Sequence, residues 1–245
     1  TNPQTGKPYG PDFPDITTKD IIGTQALLLD ALKVGQLAAV VGFSYGGYLT
    51  FEWGVTHPER MRALVPVASA MKGRGTDDAV TALRDRFSVC PGWNGGDYYD
   101  GDGEACVRDA LAKLRIETLT GYGVARQLED KIPDPAEREA ALRTMAEQWA
   151  DEFDANTMIV LRKAAIAFNA ESELAAIEAP MLYALSRTDA LFGPDIAPGA
   201  MATLKAAGVD AQYLEIDSDY GHRGPSIDWR KWAPDLAAFL AERCP

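Results

Sequence analysis

Ser44 lies in a Gly-x-Ser-x-Gly pattern, written in this chain as Gly42-Phe43-Ser44-Tyr45-Gly46. The apolar run at 37–41 predicts a β-strand before it, and residues 46–56 predict a helix after it. A strand that turns directly into a helix at such a pattern strains the serine backbone and exposes its hydroxyl above the sheet. We expect glycine at 42 and 46 because the turn leaves no room for side chains. Ser44 is therefore a candidate nucleophile, and the alternative is a glycine-rich turn that only packs.

The residue after the serine has a candidate role of its own. In a strand-to-helix turn of this kind, its backbone N–H points to the place where a negatively charged oxygen would form during acyl transfer. We therefore expect the N–H of Tyr45 to supply one donor of an oxyanion hole.

A serine nucleophile needs a base, and the chain contains two histidines, His57 and His222. His57 stands at the far end of the helix that follows Ser44, and about 1.5 Å per residue places it roughly 20 Å away. His222 follows the predicted strand 211–217. Because parallel strands end at the same edge of a sheet, His222 can reach Ser44 there. His222 is the candidate base, and the alternative is a solvated loop histidine.

The base needs a carboxylate to orient it, and Asp189 follows the predicted strand at 180–186. The resulting order along the chain, serine then aspartate then histidine, is the order found where this turn carries a catalytic triad. Asp195, Asp217 and Asp219 compete for the same role. Asp195 is better placed to cap the next helix, and the other two lie on the loop of His222 itself.

Length and composition limit the kind of protein. The chain has 245 residues, of which 47% are hydrophobic and 24% charged, as in one large domain or a core domain with an inserted cap. A net charge of −12 argues against nucleic acid or an anionic membrane as the main partner. No apolar run approaches the roughly 20 residues of a membrane span. The chain contains no Cys-x-x-Cys pair, so we expect no metal site and no thioredoxin-like site. The serine chemistry described above predicts a small-molecule ester or acyl donor as the partner.

Predicted strands and helices alternate in the first and last parts of the chain. The predicted strands cover 37–43, 62–68, 180–186 and 211–217, and the predicted helices between and beside them cover 17–34, 46–56, 198–207 and 234–243. This alternation predicts an α/β protein with a mostly parallel sheet and helices on both faces.

The alternation stops between residues 70 and 172, where helices are predicted near 105–118, 135–152 and 155–169. We interpret this segment as a helical lid inserted into the sheet domain. The predicted organisation is therefore a first core part at 1–69, the lid at 70–172 and a second core part at 173–245.

Three cysteines bear on the compartment: Cys90, Cys106 and Cys244. Cys90 and Cys106 bracket one loop of the predicted lid, which suggests a disulfide between them. A disulfide would indicate an exported protein, whether periplasmic or secreted. Three free thiols in a cytoplasmic enzyme are the alternative.

Seven stretches of the chain, in order, match one family pattern. They are GKPYGPDFP at 6–14, the serine turn at 42–47, EW at 52–53, WNGGDYY at 93–99, FDANT at 153–157, DALF at 189–192 and EIDSDYGH at 215–222. On these residues the chain resembles the homoserine O-acetyltransferase family, whose members have the α/β-hydrolase fold.

The resemblance implies an acyl-enzyme, ping-pong mechanism with Ser44 as the acyl acceptor and Asp189 and His222 as its partners. It implies no bound cofactor, with acetyl-CoA as a co-substrate. The family also uses an arginine of the lid to bind the substrate carboxylate, and Arg115 is the nearest candidate by position. From the matching WNGGDYY stretch we expect Trp93 and Tyr98 to contact the substrate as well.

The chain departs from the family pattern at three places. Phe43 and Tyr45 flank the serine where the family has glycine and methionine, and Arg223-Gly224-Pro225 follows the histidine where the family has an acidic residue and then apolar ones. Two cysteines in the predicted lid are a further departure. These differences favour a changed substrate over a changed triad.

The resemblance also implies several strands ahead of the strand that precedes Ser44, with one of their loops supplying the second oxyanion donor. Only an arm and one predicted helix precede residue 37. Four strands alone would leave an uncovered apolar edge on a parallel sheet. We therefore expect another polypeptide to complete the sheet, either a cleaved N-terminal segment that stays bound or a second chain. A homodimer is a separate expectation for the assembly of the protein.

The sequence as a whole predicts a serine-dependent acyl-transfer enzyme that hydrolyses a carboxylic ester. One alternative is an O-acetyltransferase that moves acetyl from acetyl-CoA to homoserine or a similar hydroxyl acceptor. A non-catalytic binding protein on the same fold is the second alternative, since fold alone does not decide function.

Overall fold

The computed structural model describes residues 1–99, 101 and 103–244. Four strands are present: β1 (Val40–Phe43), β2 (Leu64–Val67), β3 (Met181–Ser186) and β4 (Ala211–Ile216). The helices are α1 (Thr18–Ala31), α2 (Tyr45–Thr56), α3 (Asp77–Ser88), α4 (Gly103–Gly121), α5 (Val124–Glu129), α6 (Pro135–Glu152), α7 (Ala155–Ala167), α8 (Ala197–Ala206), α9 (Gly224–Ile227) and α10 (Trp229–Arg243). The four predicted strands are all found, although most are shorter than the sequence suggested.

The chain divides into two compact units. The sheet unit comprises Thr17–Gly73, Tyr122–Arg126 and Ala167–Pro245. The helical unit comprises Thr1–Ile16, Arg74–Gly121 and Gln127–Ile166. The helical unit therefore contains most of the segment interpreted as a lid, together with the N-terminal arm.

The strands of the sheet unit lie in the order β1-β2-β3-β4, and every neighbouring pair is parallel. Val40 pairs with Leu64 at the start of β1, and Met181 pairs with Ala211 at the start of β4. Because all four strands run the same way, their carboxyl ends lie at one edge of the sheet. The prediction of a parallel sheet is confirmed.

Helices cover both faces of this sheet. On one face, α10 packs through residues such as Phe239 against a buried apolar cluster formed by Ala63, Val65, Val67, Leu182, Ala184 and Ile216. On the other face lies α2, whose Phe51 ring is 6.1 Å from the ring of Tyr183. Successive strand residues thus point alternately to α10 and α2, as the pleat of a β-strand requires.

The helix α1 packs on the outer side of α2 through polar contacts. Thr17 caps α1 by accepting the N–H of Asp20. The hydroxyl of Thr18 donates to the buried carboxylate of Glu52 at 2.5 Å, and Trp53 Nε1 donates to Gln25 Oε1 at 2.7 Å. These contacts fix the helix that follows Ser44.

The helical unit has its own apolar core, with Phe87, Val107 and Leu111 at its centre. One carboxylate organises the polar side of this core. Asp154 Oδ1 accepts the hydroxyls of Tyr98 and Tyr99, each at 2.7 Å, and its Oδ2 accepts the N–H of Thr157 at 2.6 Å. The WNGGDYY and FDANT stretches therefore meet inside this unit. No helix within the described residues is long and apolar enough to cross a membrane.

Candidate active site

Ser44 lies between β1 and α2 with a backbone conformation (φ 55°, ψ −116°) that side chains rarely adopt. Its N–H donates to the carbonyl oxygen of Val67 on β2 at 2.9 Å, and its own carbonyl oxygen accepts the N–H of Gly47 at 2.8 Å. These two hydrogen bonds hold the strained residue in place. The predicted strand-to-helix turn is confirmed.

The glycines of the turn differ in how much room they have. A Cβ atom at position 42 would overlap the carbonyl oxygen of Gly46 and the hydroxyl of Thr50, whereas a Cβ atom at position 46 would meet no atom within 4 Å. The expectation of a steric need for glycine is therefore correct at 42 and wrong at 46. The second tight position is Gly47, where a Cβ atom would overlap the side chain of Ser69.

His222 and Asp189 form a buried pair. His222 lies in a short turn shortly after β4, and its Nδ1 is 2.7 Å from Asp189 Oδ2. The imidazole is 1% exposed and the carboxylate 0% exposed. The other carboxylate oxygen, Oδ1, accepts the N–H of Leu191 at 2.8 Å. Since Asp189 holds Nδ1, Nε2 is the ring nitrogen that is left for another partner.

Two side chains, one at the last position of β3 and one just after it, hold the loop that carries His222. The hydroxyl of Ser186 donates to the carbonyl oxygen of Gly221 at 2.9 Å. Thr188 Oγ1 donates to the carbonyl oxygen of Ser218 at 2.9 Å and accepts the N–H of Gly221 at 3.0 Å. The loops of the acid and the base are thus joined by hydrogen bonds from two side chains that shortly precede Asp189.

The competing carboxylates have other partners or positions. Arg187 Nε lies 2.8 Å from Asp217 Oδ1, and Arg187 Nη2 lies 2.5 Å from Asp219 Oδ1. Asp195 lies in a short turn before α8 and is exposed. Among these four carboxylates, Asp189 is the one that bonds to His222 in the described part of the chain.

Three aromatic rings surround the imidazole of His222. The ring centroids lie 4.7 Å away for Phe43, 4.9 Å for Tyr122 and 5.9 Å for Phe192. Because Phe43 directly precedes Ser44, its ring links the serine turn to the histidine. Nε2 of His222 is buried and has no hydrogen-bond partner within the part of the chain that the structure describes. A buried ring nitrogen without a hydrogen-bond partner is uncommon in native proteins.

Tyr122 reaches the histidine because two glycines let their backbones approach. A Cβ atom at position 123 would lie 3.1 Å from the carbonyl oxygen of Tyr220, and one at position 221 would lie 3.2 Å from that of Tyr122. The segment Tyr122–Arg126 thus belongs to the sheet unit although it follows α4. Apart from the two glycines, no local pattern in the sequence indicates this contact.

Tyr45 is the first residue of α2, so its backbone N–H is one of the free donors at a helix start. Its phenol oxygen is buried and has no hydrogen-bond partner among the residues described. Burial raises the pKa of the Tyr45 phenol, and the nearby Tyr48 raises it further. The phenol is therefore a neutral donor at physiological pH.

The candidate substrate-binding residues 93, 98 and 115 lie in the helical unit. Trp93 and Tyr98 are buried and stacked, with ring centroids 5.4 Å apart, and Tyr98 also donates to Asp154. The guanidinium of Arg115 lies over the ring of Trp149, 4.9 Å from its centroid. Packing explains the positions of all three side chains, and substrate binding by any of them stays a prediction.

Two of the three cysteines form a disulfide and the third is a free thiol. Cys90 and Cys106 form a disulfide within the helical unit, between the end of α3 and α4. Cys244 is a free thiol whose Sγ donates to the carbonyl oxygen of Ala38 at 2.8 Å. Elsewhere in the described chain, no three side chains of His, Cys, Asp or Glu gather as a metal ion would require.

Comparisons with known proteins agree with the fold of the sheet and its helices. A family model for the alpha/beta hydrolase fold matches residues 2–224. The solved structure of esterase E22 superposes with a TM-score of 0.83 at 26% identity, over 98% of this chain and 70% of that one.

Two curated relatives are nearer in sequence. The homoserine O-acetyltransferase of Moorella thermoacetica is 32% identical over 100% of this chain and 70% of its own length. The homoserine O-succinyltransferase of Pseudomonas putida is 33% identical over 98% of this chain and 69% of its own length. The chain belongs to the α/β-hydrolase fold family and, within it, to the family of homoserine O-acetyltransferases. Acyl transfer is the chemistry of this class.

Proposed function

We propose that this protein transfers acyl groups through Ser44, with His222 as the base and Asp189 as the orienting acid, and that it hydrolyses a carboxylic ester. The observation that carries the proposal is the buried pair of Asp189 and His222, whose second ring nitrogen has no partner in the described chain. The strained backbone of Ser44, one residue from the Phe43 ring that packs on His222, supports it.

The first half of the reaction forms an acyl-enzyme. Ser44 Oγ attacks the carbonyl carbon of the ester while Nε2 of His222 takes its proton, and Asp189 stabilises the resulting imidazolium. The N–H of Tyr45 donates to the oxyanion of the tetrahedral intermediate. The intermediate then expels the alcohol, which receives its proton from Nε2, and the acyl group stays bound to Ser44 as an ester.

The second half transfers the acyl group to water. Nε2 of His222 takes a proton from the water molecule as its oxygen attacks the acyl carbon. Collapse of the second tetrahedral intermediate breaks the bond to Ser44 Oγ, which recovers its proton from Nε2. The products are a carboxylic acid and the free enzyme. A hydroxyl group of a second substrate could take the place of water, which would make the same machinery a transferase.

Sequence departures and similarities to known proteins bear on whether the acyl group is transferred to water or to another acceptor. Phe43, Tyr45 and Arg223 depart from the homoserine O-acetyltransferase pattern beside the serine and the histidine, which favours hydrolysis. The similarity to esterase E22 supports the same side. The identity of 32% with a homoserine O-acetyltransferase favours the second candidate, in which acetyl-CoA is the co-substrate and homoserine the acceptor.

An acceptor test separates the two candidates. The purified protein is given acetyl-CoA with and without homoserine or serine, and in parallel p-nitrophenyl acetate in water. We expect hydrolysis of the p-nitrophenyl ester, abolished by Ser44→Ala and retained by His57→Ala, because His57 packs beside Trp53 at the far end of α2. Release of CoA that depends on homoserine would replace hydrolysis with the transferase function. No turnover in either assay would contradict acyl transfer altogether.

We also propose that another polypeptide segment adds to the free edge of the sheet beside β1. Within the described residues β1 pairs only with β2. Val41 is 52% exposed on this strand, and Leu27 and Leu28 on α1 are 69% and 58% exposed. Strands of a parallel sheet are normally buried on both faces and free sheet edges are normally protected, so a half-exposed apolar residue on the unpaired strand β1 indicates a missing neighbour.

Native and denaturing mass measurements on protein purified from its natural source test this partner. We expect a mass above the 26.5 kDa of these 245 residues under native conditions. A second polypeptide species after denaturation would identify a separate chain, a single larger chain would identify a covalently linked segment, and a doubled mass of one species would identify a second copy. A fully active monomer of 26.5 kDa would refute the proposal.

The compartment of the protein follows from the state of Cys90 and Cys106 in the native material. One disulfide in the structure is not enough to indicate export. We infer an exported protein if the pair is oxidised in protein isolated under thiol-trapping conditions, and a cytoplasmic one if all three cysteines are trapped as thiols.

A further inference from the structure

The hydroxyl of Tyr45 is a buried donor that the described protein leaves unused. Other buried tyrosine hydroxyls have partners. Tyr183 donates to the carbonyl oxygen of Ser69 at 2.7 Å, and Tyr98 donates to Asp154 at 2.7 Å. A buried polar atom without a partner is uncommon in native proteins and costs stability, so it usually marks a site that something else completes.

The surroundings of this hydroxyl make its lack of a partner more costly. The Tyr45 ring lies 6.0 Å from the ring of Tyr48, which packs 4.8 Å from Phe168 and 6.0 Å from Phe192. Phe192 in turn lies 5.9 Å from His222. The Tyr45 ring therefore belongs to a group of packed aromatic rings that extends from the serine turn to His222. In such apolar surroundings an unmade hydrogen bond costs more than it does in water.

The hydroxyl of Tyr45 lies within one side-chain length of the backbone at Ser44. Tyr45 directly follows Ser44, and its backbone N–H is the donor assigned above to the oxyanion. The phenol oxygen is a second polar atom of that same residue, and in the free protein it has no partner among the residues described. A bound ester with one more oxygen could accept a hydrogen bond from it, whereas an ester with carbon at that place would leave it unpaired.

We propose that Tyr45 determines substrate specificity by donating a hydrogen bond from its hydroxyl to an oxygen of the ester other than those of the reacting ester group. The preferred substrates are then esters with an ether, keto, hydroxyl or carboxylate oxygen in the acyl part or in the alcohol part. This inference rests on the proposed acyl transfer through Ser44.

Isosteric ester pairs provide the test. The first pair, p-nitrophenyl methoxyacetate and p-nitrophenyl butyrate, places oxygen or carbon at the same position of the acyl part. The second pair, 2-methoxyethyl acetate and butyl acetate, does so in the alcohol part. The quantity compared is the ratio of kcat/KM within each pair, measured in the wild-type protein and in Tyr45→Phe, so that the intrinsic reactivity of each ester cancels.

We expect Tyr45→Phe to lower the oxygen-to-carbon ratio of one pair about tenfold, as loss of a single hydrogen bond does, and the affected pair identifies the part of the ester that is bound. The matched control Tyr213→Phe removes a phenol hydroxyl from β4 and should leave both ratios unchanged. Ratios that stay within twofold of wild type in both pairs would overturn the role of Tyr45 while leaving acyl transfer intact. A wild-type protein that hydrolyses none of the four esters would overturn the proposed function and this inference with it.

Thermal stability separates this role from a structural one. Because the Tyr45 hydroxyl has no partner in the described protein, Tyr45→Phe should melt at the same temperature as wild type or higher. A clear fall in the melting temperature would mean that the hydroxyl supports the fold, and it would overturn the inference.

Discussion

Replacing Asp189 by asparagine tests how the acid acts on the histidine. The two side chains have nearly the same size, so the change removes the charge and keeps the packing. Asp189 Oδ1 accepts the N–H of Leu191, so the amide oxygen of asparagine should keep that place and turn its NH₂ group toward His222. Nδ1 of His222 must then accept a hydrogen bond, which puts the ring proton on Nε2. In that tautomer Nε2 cannot take the proton of Ser44.

The size of the loss follows from the geometry. The Oδ2–Nδ1 distance of 2.7 Å places the centres of the two charges about 4 Å apart when the histidine is protonated. With an effective dielectric constant of about 20, that interaction is worth about 4 kcal/mol, or about a thousandfold in rate. The unfavourable tautomer adds to this loss, so we expect kcat to fall by about 10³-fold or more.

The assay is the steady-state hydrolysis of p-nitrophenyl acetate by Asp189→Asn, with circular dichroism to confirm that the variant is folded. Asp219→Asn is the matched control, because Asp219 is exposed and pairs with Arg187. Exposed ion pairs contribute less than about 1 kcal/mol, so we expect the control to keep activity within a few-fold of wild type. A folded Asp189→Asn variant with more than a third of the wild-type kcat would refute the reasoning.

Three further predictions concern stability. Gly42→Ala should lower the free energy of unfolding of the sheet unit in urea by about 3 kcal/mol or more, because the added Cβ atom overlaps the carbonyl oxygen of Gly46. Gly46→Ala is the control and should be neutral or stabilising, because its Cβ atom meets no other atom. Equal effects of the two substitutions would contradict the tight turn at Gly42. Reduction of the Cys90–Cys106 disulfide, which spans 16 residues, should cost the helical unit about 3 kcal/mol; a count of three free thiols without reductant would rule the bond out. Burial raises the pKa of the Tyr99 phenol to about 12 in the folded protein, whereas the pKa in the unfolded chain is about 10. The neutral phenol should therefore contribute fully to the free energy of unfolding below about pH 10, and this contribution should decline as the pH rises toward 12. Tyr99→Phe should weaken this alkaline loss of helical circular dichroism, and an unchanged alkaline transition in Tyr99→Phe would contradict it.

The sequence predicted the elements around the serine well because local signals were strong there. The apolar strand and the glycine pattern of residues 42–46 predict a strained strand-to-helix turn, and the structure has that turn at Ser44. The pairing of Asp189 with His222 followed from chain order and from the shared edge of parallel strands.

Other features depended on contacts that no local pattern reveals. The last helix was predicted to start near Pro234, but it begins at Trp229, because Trp232 packs on the sheet and its Nε1 donates to the carbonyl oxygen of Pro225. Proline is disfavoured in a helix interior, so the tertiary contact overrode the local signal. The contact between Tyr122 and His222 could not be predicted from the sequence either, because the two residues are far apart along the chain and meet only in the folded protein.

Covalent labelling determines whether Ser44 is the nucleophile of this protein. The protein is treated with a fluorophosphonate, and its intact mass and peptide map are compared with those of Ser44→Ala. We predict one adduct per chain, located on Ser44 and absent from the variant. No adduct on the folded wild-type protein, or an adduct on another residue that persists in Ser44→Ala, would contradict the claim.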